Sequence, residues 1–387
     1  MRGPGAARKG SPIYDAGMGA RRILLVLTAV VMVAVAAGPA AARRRPPIVV
    51  AVYEGDHAKL TRLLAKAKPT DLDAFDREPS SPTAGMRAIE VAAERGDLVA
   101  AQALLAAGAQ PTTGAVELAA AGGFVDLTMR LVEGGAPRAE QALAAAAKVG
   151  HAELVELLLP HARRADPSFN LDQILEFAVR FPPTPSAAVV TILLREKANP
   201  AIAWGPDQQT PLHLAVRRGA SHVALVLLDA GAPIDAVDRD GDTPLHLVVR
   251  LDPAQGKVIL DRMLAAKVPV DLPGKDGVTA LMTAAGAGSL PWVELLLARG
   301  ARPDARTTDG RVALDIALTC ATSGGTQAPP TTCHGDVALR LLAGRDPPRG
   351  TIDQRGRTPL VRALLSGHQA LAARLLMLTI TTRSGRE

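Results

Sequence analysis

Apolar residues between positions 207 and 246 fall into two short stripes of helical spacing, separated by polar breaks. Leu212, Leu214, Ala215 and Val216 give the apolar side of a first helix, which Arg217-Arg218-Gly219 closes. Val223, Val226, Leu227 and Ala230 lie three or four apart and share one face of a second helix. Thr210 suits an N-cap and Pro211 the first helical position, where a missing N–H costs nothing. Gly231 stands where a left-handed C-cap is wanted. Pro233-Ile234-Asp235-Ala236 and the turn Asp240-Gly241 then predict an extended finger. Thr243-Pro244-Leu245-His246 restarts the pattern 33 residues after Thr210-Pro211-Leu212-His213.

Two helices this short cannot bury their apolar faces alone, so a chain of such units must stack. Ten units are predicted, with first helices starting near Pro46, Arg87, Gly114, Gln141, Gln173, Thr210, Thr243, Thr279, Val312 and Thr358. The units at 87, 114 and 141 lie only 27 residues apart, which leaves room for tight turns but not for fingers. A polar segment, 68–82, separates the first unit from the second. Residues 181–185 and 251–255 are expected to form lengthened hinge loops. Residues 319–334 form a larger insertion between the two helices of the ninth unit. Each unit touches only its neighbours, so one solenoid can occupy residues 43–387.

Three groups of residues carry a resemblance to the ankyrin repeat. They are the two Thr-Pro-Leu-His stretches, Gly219 with Leu227-Leu228 and Gly231-Ala232, and the series running from Lys275-Asp276-Gly277 through Gly288 and Leu296-Leu297 to Gly300-Ala301. The resemblance implies an all-α, ankyrin-type helical solenoid with β-hairpin-like fingers in its second half. It implies that His213 and His246 tie the loop of one repeat to the next. Glu90, Glu117, Met282, Asp315 and Val361 stand at the corresponding position elsewhere. It further implies protein recognition on a concave face lined by fingers and first helices. The positions that would line it are Asp207, Gln208, Arg239, Asp240, Lys275, Asp276, Thr308 and Asp309 at the tips, and Arg217, Arg218 and Arg250 on first helices; Gln354-Arg355 would be a further tip. Their mixed charge suits a protein partner better than a phosphate backbone.

The start of the chain changes how its charge reads. Arg21-Arg22, an uncharged apolar run over 23–37 and Gly38-Pro39-Ala40-Ala41-Ala42 together read as a signal peptide cleaved after Ala42. The alternative is an uncleaved anchor over 23–42, long enough to span a bilayer. Met18 is a second possible start. The formal charge of +6 falls to about +2 once residues 1–42 are set aside. Arg43-Arg44-Arg45 then remains as a basic run, expected to be a solvated linker. With aromatic residues at 2% there is little for bases to stack on, so nucleic acid is not an expected partner. The expected location is periplasmic or secreted, and the Ala, Arg, Gly and Pro richness points to a GC-rich, bacterial genome.

Cys320 and Cys333 are the only cysteines and share the insertion. In an exported chain such a pair reads as a disulfide, worth about 3 kcal/mol in the chain-entropy model. A redox pair, or a metal site with His334, is the alternative, although the spacing is neither C-x-x-C nor a zinc pattern. His151 and His161 flank Glu153 and Glu156 without an H-E-x-x-H arrangement, and read as a solvated face. Phosphate-loop, dinucleotide and nucleophile-elbow motifs are absent from the sequence. The expectation is a non-catalytic, monomeric binding scaffold without cofactor or metal, acting outside the cytoplasm on a protein partner. A membrane enters only if residues 23–42 persist, which would make it an anchored sensor or assembly factor.

Overall fold

The computed structural model describes residues 45–181, 184–318, 334–343, 352, 356–365 and 368–384. It divides into two compact units, Met1–Pro137 and Arg138–Glu387. The first holds α1 (Pro47–Glu54), α2 (His57–Leu64), α3 (Pro69–Leu72), α4 (Ala88–Arg95), α5 (Leu98–Ala106), α6 (Thr113–Ala121) and α7 (Val125–Glu133). The second begins with α8 (Ala139–Val149), α9 (Ala152–Ala165), α10 (Leu171–Arg180), α11 (Ala187–Arg195), α12 (Pro211–Arg217) and α13 (Ser221–Asp229). It continues with α14 (Pro244–Val248), α15 (Pro253–Ala265), α16 (Ala280–Gly286), α17 (Leu290–Ala298), α18 (Ala313–Ala317), α19 (Gly335–Leu341), α20 (Pro359–Leu365) and α21 (Gln369–Ser384).

Within each unit the helices pack in two layers. First helices meet first helices (α1 with α4 and α4 with α6; α8 with α10, α12 and onward to α18) and second helices meet second helices. The first-helix stripe read from the sequence is buried, with Leu212, Ala215 and Val216 fully enclosed; of the second-helix stripe Val223 and Leu227 are enclosed, but Val226 is half-buried and Ala230 exposed, and Ala224 and Leu228 complete the buried face. Small side chains fill the first-helix layer of the first unit, where Ala88, Ala92, Ala115 and Ala119 are buried and let helices approach closely. Where a hinge glycine meets the next hinge, the approach is tighter still. A Cβ on Gly96 would fall 2.5 Å from the Phe124 ring, and its φ of 66° already suits glycine.

The fingers require a correction. No strand occurs among the described residues, only the isolated bridges Phe75–Arg87 and Trp204–Gln209. Three fingers close on themselves after four residues: Asp238 N donates to Asp242 O (3.0 Å), Gly274 N to Val278 O (2.8 Å) and Thr307 N to Arg311 O (2.9 Å); the finger before them closes after five, Trp204 N donating to Gln209 O (2.9 Å). In each of these three the residue after the closing one, Thr243, Thr279 or Val312, is already the N-cap of the next first helix, so no return arm is left for a second rung and the β-hairpin-like ladder does not form.

Helices expected to start near Gly114, Gln141 and Gln173 start at Thr113, Ala139 and Leu171, one or two residues earlier, and for the first and third a capping side chain lies upstream. Thr112 accepts from Ala115 N (3.1 Å), and Asn170 accepts from Asp172 N (3.0 Å) and Gln173 N (3.3 Å). Residues 251–255 are only partly a loop. Asp252 caps α15 and Pro253 opens it, which adds a turn to the helix instead of lengthening the hinge. The segment 68–82 is the start of an enlarged finger. It carries α3, and its buried Asp76 donates its N–H to Met86 O (3.0 Å), just before the Arg87 cap. Arg45, expected in a solvated linker, instead reaches into that finger, donating to Asp76 Oδ2 (3.1 Å) and Thr83 Oγ1 (3.2 Å). Burial opposes ionisation of Asp76, but Ser81, Thr83, the Glu78 N–H and Arg45 together hold its carboxyl below the ordinary range.

The expected Cys320–Cys333 disulfide is withdrawn. No disulfide is found among the described residues, and both cysteines lie outside them. The segment 23–42 also lies outside them, and no helix among the described residues is long and apolar enough to cross a membrane.

Candidate interaction surface along the fingers

The finger region of the second unit is built from capped first helices and the turns that precede them. At Thr210 the hydroxyl accepts from His213 N (3.4 Å) and donates to His213 Nδ1 (2.8 Å), which also accepts from Thr210 N (3.3 Å). His213 Nε2 donates to Asp242 O in the next finger (3.0 Å). His246 Nδ1 likewise accepts from Thr243 N (3.3 Å) and from its hydroxyl (2.8 Å), and its Nε2 donates to Val278 O (2.8 Å). An Nδ1 acceptor and an Nε2 donor define a neutral ring. Both histidines are committed to holding fingers, as the resemblance implied.

Elsewhere other side chains replace histidine. Glu90 accepts from Arg87 N (2.8 Å) and from Thr112 Oγ1 (2.8 Å), and Asp315 accepts from Val312 N (3.1 Å). Met282 offers only its sulfur to Thr279 N, at 3.5 Å. A short acceptor three residues into the helix performs the cap, whether ring or carboxylate.

Burial pushes both histidines below their ordinary pKa of 6.5, against the pull of the carbonyls they bond and the nearby Asp238 and Asp242. The unfolded chain then binds protons that the folded chain refuses. This contribution to stability is present above pH 6.5 and is lost as pH falls below it, by at most about 1.4 kcal/mol per pH unit for each histidine. Urea midpoints measured between neutral pH and about pH 5 should fall with pH in the wild type and fall less in His213→Gln/His246→Gln. Equal slopes would show that other groups dominate.

The tips adjoin one another through the backbone. Arg239 N donates to Asp207 O, Lys275 N to Gly241 O, and Thr308 N to Asp276 O, each at 2.8 Å. Asp207, Gln208, Arg217, Arg218, Arg239, Asp240, Arg250, Lys275, Asp276, Thr308 and Asp309 are all exposed. They differ in what they already hold. Arg218 Nη1 donates to Arg180 O, clamping α12 to the end of α10. Arg250 pairs with Asp242 (2.7 Å). Asp309 is spent within its own turn, where the Thr307 hydroxyl and Arg311 (2.7 Å) hold its carboxyl below the ordinary range. Gln208 and Asp276 occupy left-handed turn positions, with φ of 52° and 56°. Among the described residues no ion pair engages Arg217, Arg239, Lys275, Asp207, Asp240 or Asp276. Gln354-Arg355, the further expected tip, lies outside the described residues.

One organising residue escaped the sequence reading. Asp238 is buried and accepts from Asp240 N and Asp242 N (3.0 Å each) and from Gln209 Nε2 (3.5 Å), fixing the tip that carries Arg239 and Asp240. Its signal in the sequence is the spacing Asp-x-x-Gly-x-Thr-Pro, an Asx turn set before a cap. In the His151 and His161 region both histidines are half-buried, Glu153 and Glu156 are exposed, and Glu156 pairs with Arg195 (2.7 Å).

A family profile described as "Ankyrin repeats (many copies)" matches residues 193–248 and 263–317. The ankyrin repeat domain of human ASB11 is similar among solved structures, with 24% identity, 56% of this chain and 98% of that chain covered, and a TM-score of 0.44. No curated protein sequence matches. The chain contains an ankyrin-repeat helical domain.

Proposed function

We propose that this ankyrin-repeat chain is a non-catalytic scaffold that acts outside the cytoplasm and recognises a protein partner through its fingers around residues 207–310. The observation that carries the reading is the line of backbone bonds from Asp207 to Thr308. It sets four fingers side by side while their tip side chains stay in solvent. Arg217, Arg239 and Lys275 are cations without a structural duty here, and Asp207, Asp240 and Asp276 are acids in the same position. Such an array gives a partner alternating charge on a rigid backing, which suits a polar protein surface.

Among the described residues the array carries no group of three metal-ligating side chains. His213 and His246 are neutral and bonded at both nitrogens. Export is proposed from the basic, apolar and small-residue order of residues 21–42.

The test is a capture experiment with the chain from Arg43 as bait, applied to the exported fraction of its source cell, together with N-terminal sequencing of the native protein. Replacing Arg217, Arg239 and Lys275 by alanine should weaken capture about tenfold or more while leaving thermal stability unchanged. An unchanged affinity would remove the site from the fingers, and a native N-terminus upstream of residue 23 would replace the cleaved signal by an uncleaved anchor.

A further inference from the structure

Four consecutive first helices of the second unit end on the same figure, a buried apolar pair followed by a cation. It reads Ala146-Ala147-Lys148 on α8, Ala178-Val179-Arg180 on α10, Ala215-Val216-Arg217 on α12 and Val248-Val249-Arg250 at the end of α14. Because α8 packs on α10, α10 on α12 and α12 on α14, the four cations stand in one row across the layer. Lys148, Arg217 and Arg250 are exposed and Arg180 is half-buried. The next first helix, α16, has the buried pair Ala284-Ala285 followed by Gly286, so the fold does not require a cation at that place. One end of the row is also apolar. Lys148 Nζ lies 4.4 Å from the centre of the Phe177 ring and 5.6 Å from that of Phe181, and the two rings meet edge to face. Phe181 is 55% exposed and Val149 50%. Arg180 pairs with Glu176 (3.0 Å) and Arg250 with Asp242 (2.7 Å), whereas among the described residues no ion pair engages Lys148 or Arg217.

We propose that this row binds an acidic, extended segment of a protein partner, with a carboxylate at every third residue and an apolar side chain at the Val149–Phe181 end. The proposal rests on the reading of the chain as a protein-binding scaffold, and it gives the partner a chemistry and a track. Spacing sets the pattern. Packed helices lie about 8–10 Å apart, and a polyproline II segment returns to the same face every three residues, about 9 Å along its axis. A segment crossing the helices therefore offers one carboxylate to each cation in turn, and a guanidinium takes a carboxylate in matched, paired bonds. The acids already in the row decide between carboxylates and a nucleic-acid backbone. Glu176 and Asp242 would repel an unbroken run of phosphates, while a spaced run of carboxylates can meet Lys148 and Arg217 and the remaining donors of the two held arginines.

Fluorescence anisotropy with the full chain tests it, using labelled peptides flanked by leucine. Four repeats of Glu-Pro-Pro should bind, and four repeats of Glu-Pro-Pro-Pro or of Lys-Pro-Pro should bind far less. Lys148→Glu and, separately, Arg217→Glu should each weaken binding by about tenfold or more, with helical circular dichroism unchanged. Arg239→Ala/Lys275→Ala at the finger tips should leave it unchanged. No binding, equal binding of the mis-spaced or cationic peptide, tighter binding of an oligothymidylate, or binding that survives both charge reversals would each overturn the proposal. The native partner separates this site from the fingers. Capture lost in Arg239→Ala/Lys275→Ala but kept in Lys148→Glu would overturn the row and leave the finger reading standing. Capture lost in Lys148→Glu but kept in the finger variant would support the row and remove the fingers.

Discussion

Replacing Arg362 with leucine is expected to destabilise the end of the second unit by about 3–5 kcal/mol, although leucine is what the repeat pattern calls for there. By the register that aligns the last helix pair with α12 and α13, position 362 corresponds to the buried Leu214. Here Arg362 is buried instead, with its guanidinium on Asp315 Oδ1 and on Asp315 O (3.3 Å). Asp315 in turn stands where His213 and His246 stand, and accepts from Val312 N (3.1 Å). The two departures from the pattern therefore answer each other: one helix carries an anion in the histidine position and the next carries the cation that balances it. Leucine alone would leave the Asp315 carboxylate buried without that cation. Arg362→Leu/Asp315→Asn should recover most of the loss, because an amide oxygen can still cap α18 and no charge remains. In a stack whose stability sums over neighbours, the damage should be local. Amide exchange should speed up in α20 and α21 while α12 to α15 keep their protection. A uniform loss of protection, or a double variant no better than the single one, would show that the pair does not work this way.

That pair also marks the limit of what the sequence made legible. The repeats were readable because period, cap and hinge agree: threonine, proline, an apolar stripe and a glycine at fixed offsets each favour the same local structure. The exceptional histidine positions were visible as departures, and their replacements remained unexplained until Glu90 and Asp315 were seen to bond the cap N–H themselves. The fingers misled for a physical reason. Polar turn residues between helices look alike whether they close a ladder or a single rung, and only backbone spacing distinguishes the two. Arg45 was misplaced because its partners, Asp76 and Thr83, lie 31 and 38 residues away, beyond any local pattern. The candidate surface divides in the same way. The exposure of the tips followed from turn chemistry, but the commitments of Arg218 to Arg180, Arg250 to Asp242 and Asp309 to Thr307 and Arg311 are long-range or rotamer-level facts.

Trp292→Ala should destabilise the second unit by about 3–5 kcal/mol, the range for deleting a large buried aromatic side chain. Trp292, on α17, is buried, and its Nε1 donates to Leu251 O (2.8 Å), at the turn between α14 and α15. Its ring occupies the space that a side chain on Gly256 would fill. A Cβ there would lie 2.5 Å from Trp292 Cζ2 and 3.0 Å from Val248 O. Glycine inside the helix α15 costs roughly 1 kcal/mol against alanine, and the seated indole accounts for its presence. The same geometry makes a sharper prediction. Gly256→Ala should destabilise the wild type by about 1–3 kcal/mol through overpacking, despite the gain in helix propensity. In the Trp292→Ala background the ring is gone and only the Val248 carbonyl still crowds the new methyl, so the cost should shrink or change sign. Denaturant midpoints of the four proteins in that cycle give the coupling directly. Equal costs in both backgrounds would separate Gly256 from Trp292. A large coupling would make this contact the pin that sets α15 against α17. The finger carrying Lys275 connects the end of α15 to α16, so a loosened pin should also disturb the Lys275 N to Gly241 O bond and weaken partner capture at the fingers.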